Sequence, residues 1–376
     1  MAIVHDWLDT WRGGESALAE ICGLFPDADL YALVDFMSDE DRKRLNGRRA
    51  STTFLQHLPF ARRHFRALLP LFPRAIESLD MSSFDVIISS SHAVAKGVRT
   101  RADQLHICYC YTPMRYAWDL REQYLEQTGL VRGVRGLAAK HVLDRLRVWD
   151  ERTAHRVTEF IAISHHVADR IRRCYGRTST VIYPPVTLRP TIAPDRGPVY
   201  VTVSQLVPYK RVDLIVAAFA QLPDRELVVI GEGPERSRIQ ATASSNVRLL
   251  GRIPDDERDA WLSQARAFVF AAEEDFGIAP LEAQAMGTPV IAFRKGGSLE
   301  TINDLDSPEP TGVLFEAQTA AGIVEAIHTF EANRDRIDPD ACRRNAARFA
   351  APRFRREFME FVDERLRPGA PSNGRS

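Results

Sequence analysis

Lysine is scarce in this chain. Of the fifty basic residues among 376 only five are lysine, and fifty Asp and Glu balance them to a formal net charge of zero. A chain so balanced is not coated with basic groups for nucleic acid, and no nucleic-acid partner is expected. Cysteine is sparse too: Cys22, Cys108, Cys110, Cys174 and Cys342 are scattered, odd in number and form no CxxC pair. That argues against zinc ribbons and thioredoxin-like motifs, and for buried, reduced thiols in the cytoplasm. No run of about 18 apolar residues occurs, so no membrane-spanning helix is expected. The opening MAIVHDWLD has neither the basic nor the long apolar region of a signal peptide. The composition excludes collagen, coiled coil and general disorder, and the length allows about two domains.

The charge is unevenly spread. Residues 1–196 carry 28 basic and 23 acidic groups, residues 197–340 carry 13 and 23, and residues 341–376 carry 9 and 4. Zero is thus a cancellation between basic ends and an acidic middle, which suggests domains with different tasks. Short apolar runs alternate with helical patterns throughout. Strands are expected at Ala2–His5, Asp29–Val34, Asp85–Ser89, Leu105–Tyr111, Phe160–Ile163 and Thr180–Tyr183, then at Val199–Ser204, Leu227–Ile230, Val247–Leu250, Ala267–Phe270, Pro289–Phe293 and Gly312–Leu314. Several are continuous rather than alternating, as in parallel strands covered on both faces. Repeated βα units imply α/β domains with parallel sheets. A proline-rich stretch divides them, giving 1–186 as one domain, 187–197 as linker and 198–350 as the second. A helix over 351–367 is expected to return to the first domain, and a polar, small-residue tail over 368–376 to be disordered.

Three segments carry chemistry. His5-Asp6-Trp7 and Arg12-Gly13-Gly14-Glu15 join the first strand to the first helix, where glycines admit a close ligand and a helix N-terminus favours an anion. Ser204-Gln205-Leu206-Val207-Pro208-Tyr209-Lys210-Arg211 follows the first strand of the second domain and sets two cations before a helix, where an ammonium can neutralise phosphate. Glu273-Glu274-Asp275-Phe276-Gly277-Ile278 ends a strand and leads through Pro280 into a helix carrying Glu282 in its first turn. A carboxylate there can accept both hydroxyls of a diol, and free N–H groups near Gly277 can hold phosphate.

Glu274-x7-Glu282 followed by EAQAMGTPVIAF resembles the donor motif of the retaining family 4 glycosyltransferases, which have the GT-B fold. HDW…RGGE, TPMRYAWD (Thr112–Asp119), AISHHVADRI…VIYPPV, SQLVPYKR and EEDFGI look most like the bacterial O-antigen and exopolysaccharide mannosyltransferases of that family. The resemblance implies two Rossmann-like domains with a cleft between them. It implies that Lys210 contacts the donor diphosphate and Glu274 the transferred sugar, the two catalytic positions. It implies that Glu282 binds the ribose, that backbone at Phe276, Gly277 and Ile278 holds sugar and phosphate, and that Gly13 and Gly14 approach the diphosphate. Ser204, Gln205, Arg211 and Arg252 complete the donor side, with Arg252 at the nucleobase. His5, Asp6, Tyr111 and Arg115 fall on the acceptor side. Two positions depart from the pattern. Gln205 stands where the family usually has Arg, with Arg211 the candidate to supply that charge, and Tyr111 stands where the subgroup often has His.

No D-x-D is read here as a metal signature, in keeping with the family's metal-independent chemistry, and no metal or cofactor is expected. The expected reaction transfers mannose from GDP-mannose to a lipid-linked saccharide in surface-polysaccharide assembly. GDP-rhamnose or a UDP-sugar as donor, a nucleotide-sugar epimerase and a non-catalytic sugar-nucleotide binding module are the alternatives. Residues 42–74 hold nine basic groups (Arg42, Lys43, Arg44, Arg48, Arg49, Arg62, Arg63, Arg66, Arg74) and no acid, mixed with apolar residues from Phe54 to Phe72. A basic amphipathic stretch reads as a membrane-surface element, so peripheral contact with anionic lipid at the inner face of the cell membrane is expected.

Overall fold

Short, unbroken apolar runs such as Ala2–His5, Leu227–Ile230, Ala267–Phe270 and Val290–Phe293 can bury every side chain only as strands covered on both faces, and each is a fully buried parallel strand. The computed structural model describes residues 1–119, 121–122, 125, 133–189 and 196–367. It divides into two units, Met1–Pro185 with Phe354–Ser376, and Val186–Arg353.

Among the described residues, the first unit has a parallel sheet in the order β3-β2-β1-β4-β5-β6-β7. These strands are β1 (Ala2–His5), β2 (Asp29–Ala32), β3 (Ser51–Thr52), β4 (Val86–Ser91), β5 (Leu105–Cys110), β6 (Glu159–Ala162) and β7 (Thr180–Val181). The second unit has the order β10-β9-β8-β11-β12-β13, made of β8 (Tyr200–Val203), β9 (Leu227–Ile230), β10 (Val247–Gly251), β11 (Ala267–Phe270), β12 (Val290–Phe293) and β13 (Gly312–Phe315). All the expected strands are present within a few residues. β3 was not expected, because two polar residues leave no periodic signal. Strand order reverses between β1 and β4 in one sheet and between β8 and β11 in the other. In open α/β sheets ligands bind beyond the carboxyl ends of the strands at such a reversal.

Val186, expected in the first domain, and Arg196 and Gly197, expected in the linker, belong to the second unit. Val186 donates its N–H to Phe349, Arg196 bonds Ala265, Thr288 and Met286, and Gly197 donates to Gln264, so these residues are anchored parts of the second unit. Residues 190–195 of the expected linker and the expected tail, 368–376, lie outside the described residues. The last helix, Ala351–Leu366, straddles the division. Its Phe354 and Phe358 meet Tyr109 of β5 edge-on at 5.6 and 5.9 Å.

A buried ion pair ties the first unit's loop after β4 to its long helix, Gly133–Ala154. Lys96 Nζ lies 2.9 Å from Asp150 Oδ1 and also donates to the Asp150 carbonyl (2.6 Å) and Thr153 Oγ1 (3.1 Å). The other Asp150 oxygen accepts from Trp118 Nε1 (2.9 Å) and the Tyr175 hydroxyl (2.8 Å). Neighbouring Gly97 has no room for a Cβ, which would overlap the Trp149 ring. Removing one partner of such a pair strands the other in low dielectric. Lys96→Ala is expected to lower stability by about 3–5 kcal/mol, read from the urea midpoint followed by tryptophan fluorescence.

Candidate functional site

In the second unit, the reversal between β8 and β11 brings together the two segments with charged ends. Residues 204–211 leave β8 and residues 271–277 leave β11, and Lys210 and Glu274 form an ion pair there, each side chain mostly buried. Gly277, with a left-handed φ of 88°, turns the chain into the helix Ile278–Ala285. Glycine is favoured because the turn needs φ > 0. Phe276 is buried against Phe349, ring centroids 5.5 Å apart, so that position can offer a ligand its backbone but not its ring.

Both loops are held from behind by glycine pairs that the sequence reading passed over. Gly231 and Gly233, after β9, back the first loop. Cβ atoms there would overlap the carbonyls of Ser204 and Leu206, and Leu206 N donates to Glu232 O (2.8 Å). Gly296 and Gly297, after β12, back the second. Gly296 bridges Glu274 in parallel, Gly297 N donates to Glu274 O (2.8 Å), and a Cβ at Gly297 would overlap the Phe276 carbonyl. The signal was available, since each pair lies within four residues of the end of a strand.

Two donor-side residues have local partners, and one expectation changes. Arg211, at a left-handed φ of 52°, pairs with part-exposed Asp213 (Nε to Oδ1 3.2 Å), while Gln205 is exposed. Ser204 turns its hydroxyl onto the Gln205 carbonyl (3.2 Å). Glu282 is the fifth residue of a helix that begins at Ile278, not a first-turn acid. Burial raises its pKa above the usual carboxylate value, against the opposing pull of Arg258. Arg258 itself is held by Asp255 (3.1 Å) and Asp259 (2.7 Å). Arg252 is exposed at the carboxyl end of β10.

In the first unit, the reversal between β1 and β4 is governed by Asp6. Its carboxylate is wholly buried and accepts from the backbone N–H groups of His92 (2.6 Å), Ala93 (3.0 Å), Val94 (2.6 Å) and Ala95 (2.7 Å). His92 Nδ1 lies 2.9 Å from the same group. Burial alone would raise this carboxyl, but the His92 and His5 charges and the His92 hydrogen bonds outweigh it and bring it down to about 2. Asp6 therefore builds the site and does not face an acceptor. His5 is also buried, with Nδ1 3.1 Å from the Ser90 carbonyl and 3.0 Å from Ser90 Oγ. Glu15 caps its own helix by accepting from Arg12 N (2.9 Å).

Tyr111 donates its hydroxyl to the Gly14 carbonyl (2.7 Å), and Ser90 Oγ lies 2.9 Å from the Tyr111 hydroxyl oxygen. It pins the glycine turn to the end of β5, and burial raises its pKa. A Cβ at Gly14 would meet only ordinary contact with Tyr111, so local packing does not demand glycine there. Gly13 is the first residue of the helix Gly13–Leu24. Arg115 is half-buried in the turn 115–119. Two motif segments quoted above meet through Arg170, which bonds Thr112 Oγ1 (2.6 Å), Asp119 Oδ2 (2.7 Å) and His166 Nε2 (3.0 Å). The residue of this end that the sequence reading missed is His92, hidden in a bland SSSH run.

The basic stretch is not one amphipathic helix. It folds as successive short turns, Phe54–His57, Ala61–His64, Phe65–Leu71 and Phe72–Ile76. Arg42 is buried, both terminal nitrogens 2.8 Å from Asp35, and Arg48 binds the carbonyls of Cys22, Phe25, Pro26 and Ala28. Leu55, Phe65, Leu69 and Phe72 belong to the core. What remains exposed is Lys43, Arg44, Arg49, Arg62, Arg63, Arg66 and Arg74 with Phe54, Phe60 and Leu71. Among the described residues no group of three or more His, Cys, Asp and Glu is arranged to hold a metal ion.

Residues 188–349 match the family model described as "Glycosyl transferases group 1". A GDP-mannose-dependent monoacylated alpha-(1-6)-phosphatidylinositol monomannoside mannosyltransferase of Corynebacterium glutamicum is 37% identical over 148 residues, 35% of this chain and 38% of that protein. The alpha-1,3/1,6-mannosyltransferase alg2 of Schizosaccharomyces pombe is 43% identical over 91 residues, 22% of this chain and 18% of that protein. The chain thus spans well under half the length of these curated relatives. The crystal structure of Anabaena Alr3699/HepE with UDP and glucose aligns with TM-score 0.69 at 18% identity, covering 96% of this chain and 99% of that one. Sucrose-phosphate synthase of Thermosynechococcus elongatus aligns at 0.70 and 18%, covering 97% and 99%.

The glycine buttress gives a direct test. Gly297→Ala is expected to displace the Glu274–Phe276 segment and lose nucleotide-sugar binding or turnover by roughly a hundredfold, since a 1 Å misplacement costs about that much. Circular dichroism should show the fold retained, and a thermal-shift titration should show the binding lost.

Proposed function

With the chain in the GT-B fold and residues 188–349 a domain of the group 1 glycosyl transferases, we propose that the protein is a retaining glycosyltransferase that moves mannose from GDP-mannose onto a lipid-linked saccharide of a surface polysaccharide. The Lys210–Glu274 pair at the β8/β11 reversal carries this reading. Two relatives similar over part of the chain are mannosyltransferases, one of them named for GDP-mannose. An ammonium and a carboxylate held against each other without donor can each take a part of the donor instead, Lys210 the diphosphate and Glu274 the sugar hydroxyls.

The bond between the sugar's anomeric carbon and the phosphate oxygen breaks, its electron pair leaving with the phosphate. Lys210 and the first N–H groups of the helix Ile278–Ala285 stabilise that charge. The acceptor oxygen bonds the anomeric carbon on the face just vacated, and its proton passes to the departing phosphate. No protein nucleophile, metal or cofactor is called on. Glu282 takes the ribose diol, and Arg252 faces the base.

The acceptor's lipid places the enzyme at the inner face of the cell membrane. Phe60, 82% exposed on a left-handed backbone beside Arg62, Arg63 and Arg66, supports contact with anionic lipid. Among the described residues no helix is long and apolar enough to cross a membrane.

GDP-mannose should raise the melting temperature more than GDP-rhamnose or UDP-sugars in a thermal-shift screen, and Lys210→Ala and Glu274→Gln should each cut GDP release about a hundredfold or more. Preference for a UDP-sugar would overturn the donor, and full turnover by Glu274→Gln would overturn that residue's role. In sedimentation at low salt the protein should bind vesicles containing anionic lipid and not neutral ones. An Arg62→Glu/Arg63→Glu variant should lose about tenfold or more of that binding, at roughly 1 kcal/mol per basic group.

A further inference from the structure

The end of β4 holds a side chain that neither the fold nor the reaction above uses. His92 follows β4 directly, and its ring is fixed on several sides. Nδ1 lies 2.9 Å from Asp6 Oδ2, and Trp7 meets the ring at 4.6 Å with planes 81° apart. Tyr111 and His5 stand 6.3 and 6.4 Å away, centroid to centroid. A buried carboxylate that only accepts fixes the proton of this imidazole on Nδ1. About a third of the side chain, 35%, remains exposed, which leaves Nε2 as the nitrogen available to a ligand. An orienting carboxylate behind an imidazole whose second nitrogen faces outward is the arrangement by which proteins aim a histidine at a reacting or bound group.

We propose that His92 contacts the acceptor glycan, presenting Nε2 to one of its sugar hydroxyls, and that Asp6 is its positioning residue. This rests on the sugar-transfer reading and adds to it the part of the acceptor that lies at the β1/β4 reversal, its glycan rather than its phosphates. The charges around the ring decide between the two. Asp6 and Glu15 face it with negative charge and Arg12 with positive, His5 being the other titratable neighbour. A surround with more carboxylates than cations does not favour an anion. A hydroxyl both donates and accepts, so it suits the ring in either protonation state, whereas a phosphate suits only the imidazolium. That breadth suits a ring whose pKa the surround displaces from its ordinary value. Burial lowers the His92 pKa, but the charge and hydrogen bond of Asp6 outweigh it and the net shift is upward.

The full chain with ¹⁵N-labelled histidine tests this by NMR. The probes are the octyl glycosides of mannose, glucose, galactose and rhamnose, and inorganic pyrophosphate. The His92 signal is the one absent from His92→Gln. At least one glycoside should shift it, while pyrophosphate should not. Affinity for that glycoside should fall about tenfold in His92→Ala, the loss of one hydrogen bond, and return most of the way in His92→Gln, whose amide can occupy the Nε2 position. A His92 signal moved by pyrophosphate and by no glycoside, or moved by nothing, overturns the proposal, and so does unchanged affinity in His92→Ala. The wild-type signal needs no variant to fold. Failure of GDP-mannose to stabilise the wild-type chain would remove the donor assignment alone, and an unmoved His92 signal with GDP-mannose binding intact would remove this one alone.

Discussion

The first unit is organised by one carboxylate. Asp6 leaves β1 at the reversal of strand order and accepts four successive backbone N–H groups from the segment that leaves β4. Those groups would otherwise be orphaned in a buried loop, and each would cost about 1–3 kcal/mol. The same group fixes the tautomer of His92. One buried charge therefore sets the path of a loop, the join between two central strands and the aim of an imidazole. Its pKa of about 2 keeps it an acceptor across the whole physiological range, so this framework does not change with ordinary pH.

The second unit solves the corresponding problem without a buried acid. Its two functional loops leave β8 and β11, and each is pressed into place by backbone from the neighbouring strand. The approach is so close that Gly231, Gly233, Gly296 and Gly297 admit no Cβ. Backbone held by backbone is stiff, and Lys210 and Glu274 stand on it. Pre-set groups stabilise developing charge without reorganising when it appears. The ion pair is the part left free to change, since its members can trade each other for a ligand while the loops beneath them stay fixed.

Much of this was legible in the sequence, and the limits have physical reasons. Continuous apolar runs gave away the buried parallel strands, because no other element hides every side chain of a four-residue stretch. Lys210 and Glu274 could be singled out because charges stand together after two strands, beside a glycine turn, whereas Glu282 was read as a first-turn acid and lies further into its helix. Asp6 and His5 were placed on the acceptor side by the resemblance, at the end of the first strand. Their burial depends on donors some 85 residues away in sequence, which no local pattern shows. The basic stretch was read as one amphipathic surface for the same reason. Arg42 and Arg48 look solvated until Asp35 and the carbonyls of the Cys22–Ala28 turn are brought to them. His92 went unnoticed because a histidine after three serines carries no charge or spacing signal of its own.

The scarcity of lysine takes on meaning at two positions. Arginine proportions follow from no structural demand in the chain as a whole, but Lys96 and Lys210 sit where geometry prefers an ammonium. At Lys96 three acceptors, Asp150 Oδ1, the Asp150 carbonyl and Thr153 Oγ1, converge on one nitrogen. A three-donor point charge satisfies them, whereas a planar guanidinium spreads its donors over a fork too wide to converge. At Lys210 the proposed reaction asks for an exchangeable partner. A bidentate arginine would hold Glu274 with two parallel bonds and resist release, while a single ammonium holds it by charge at one point and can turn to a phosphate. Rigid convergence and easy exchange are opposite demands, and lysine meets both because its charge is compact.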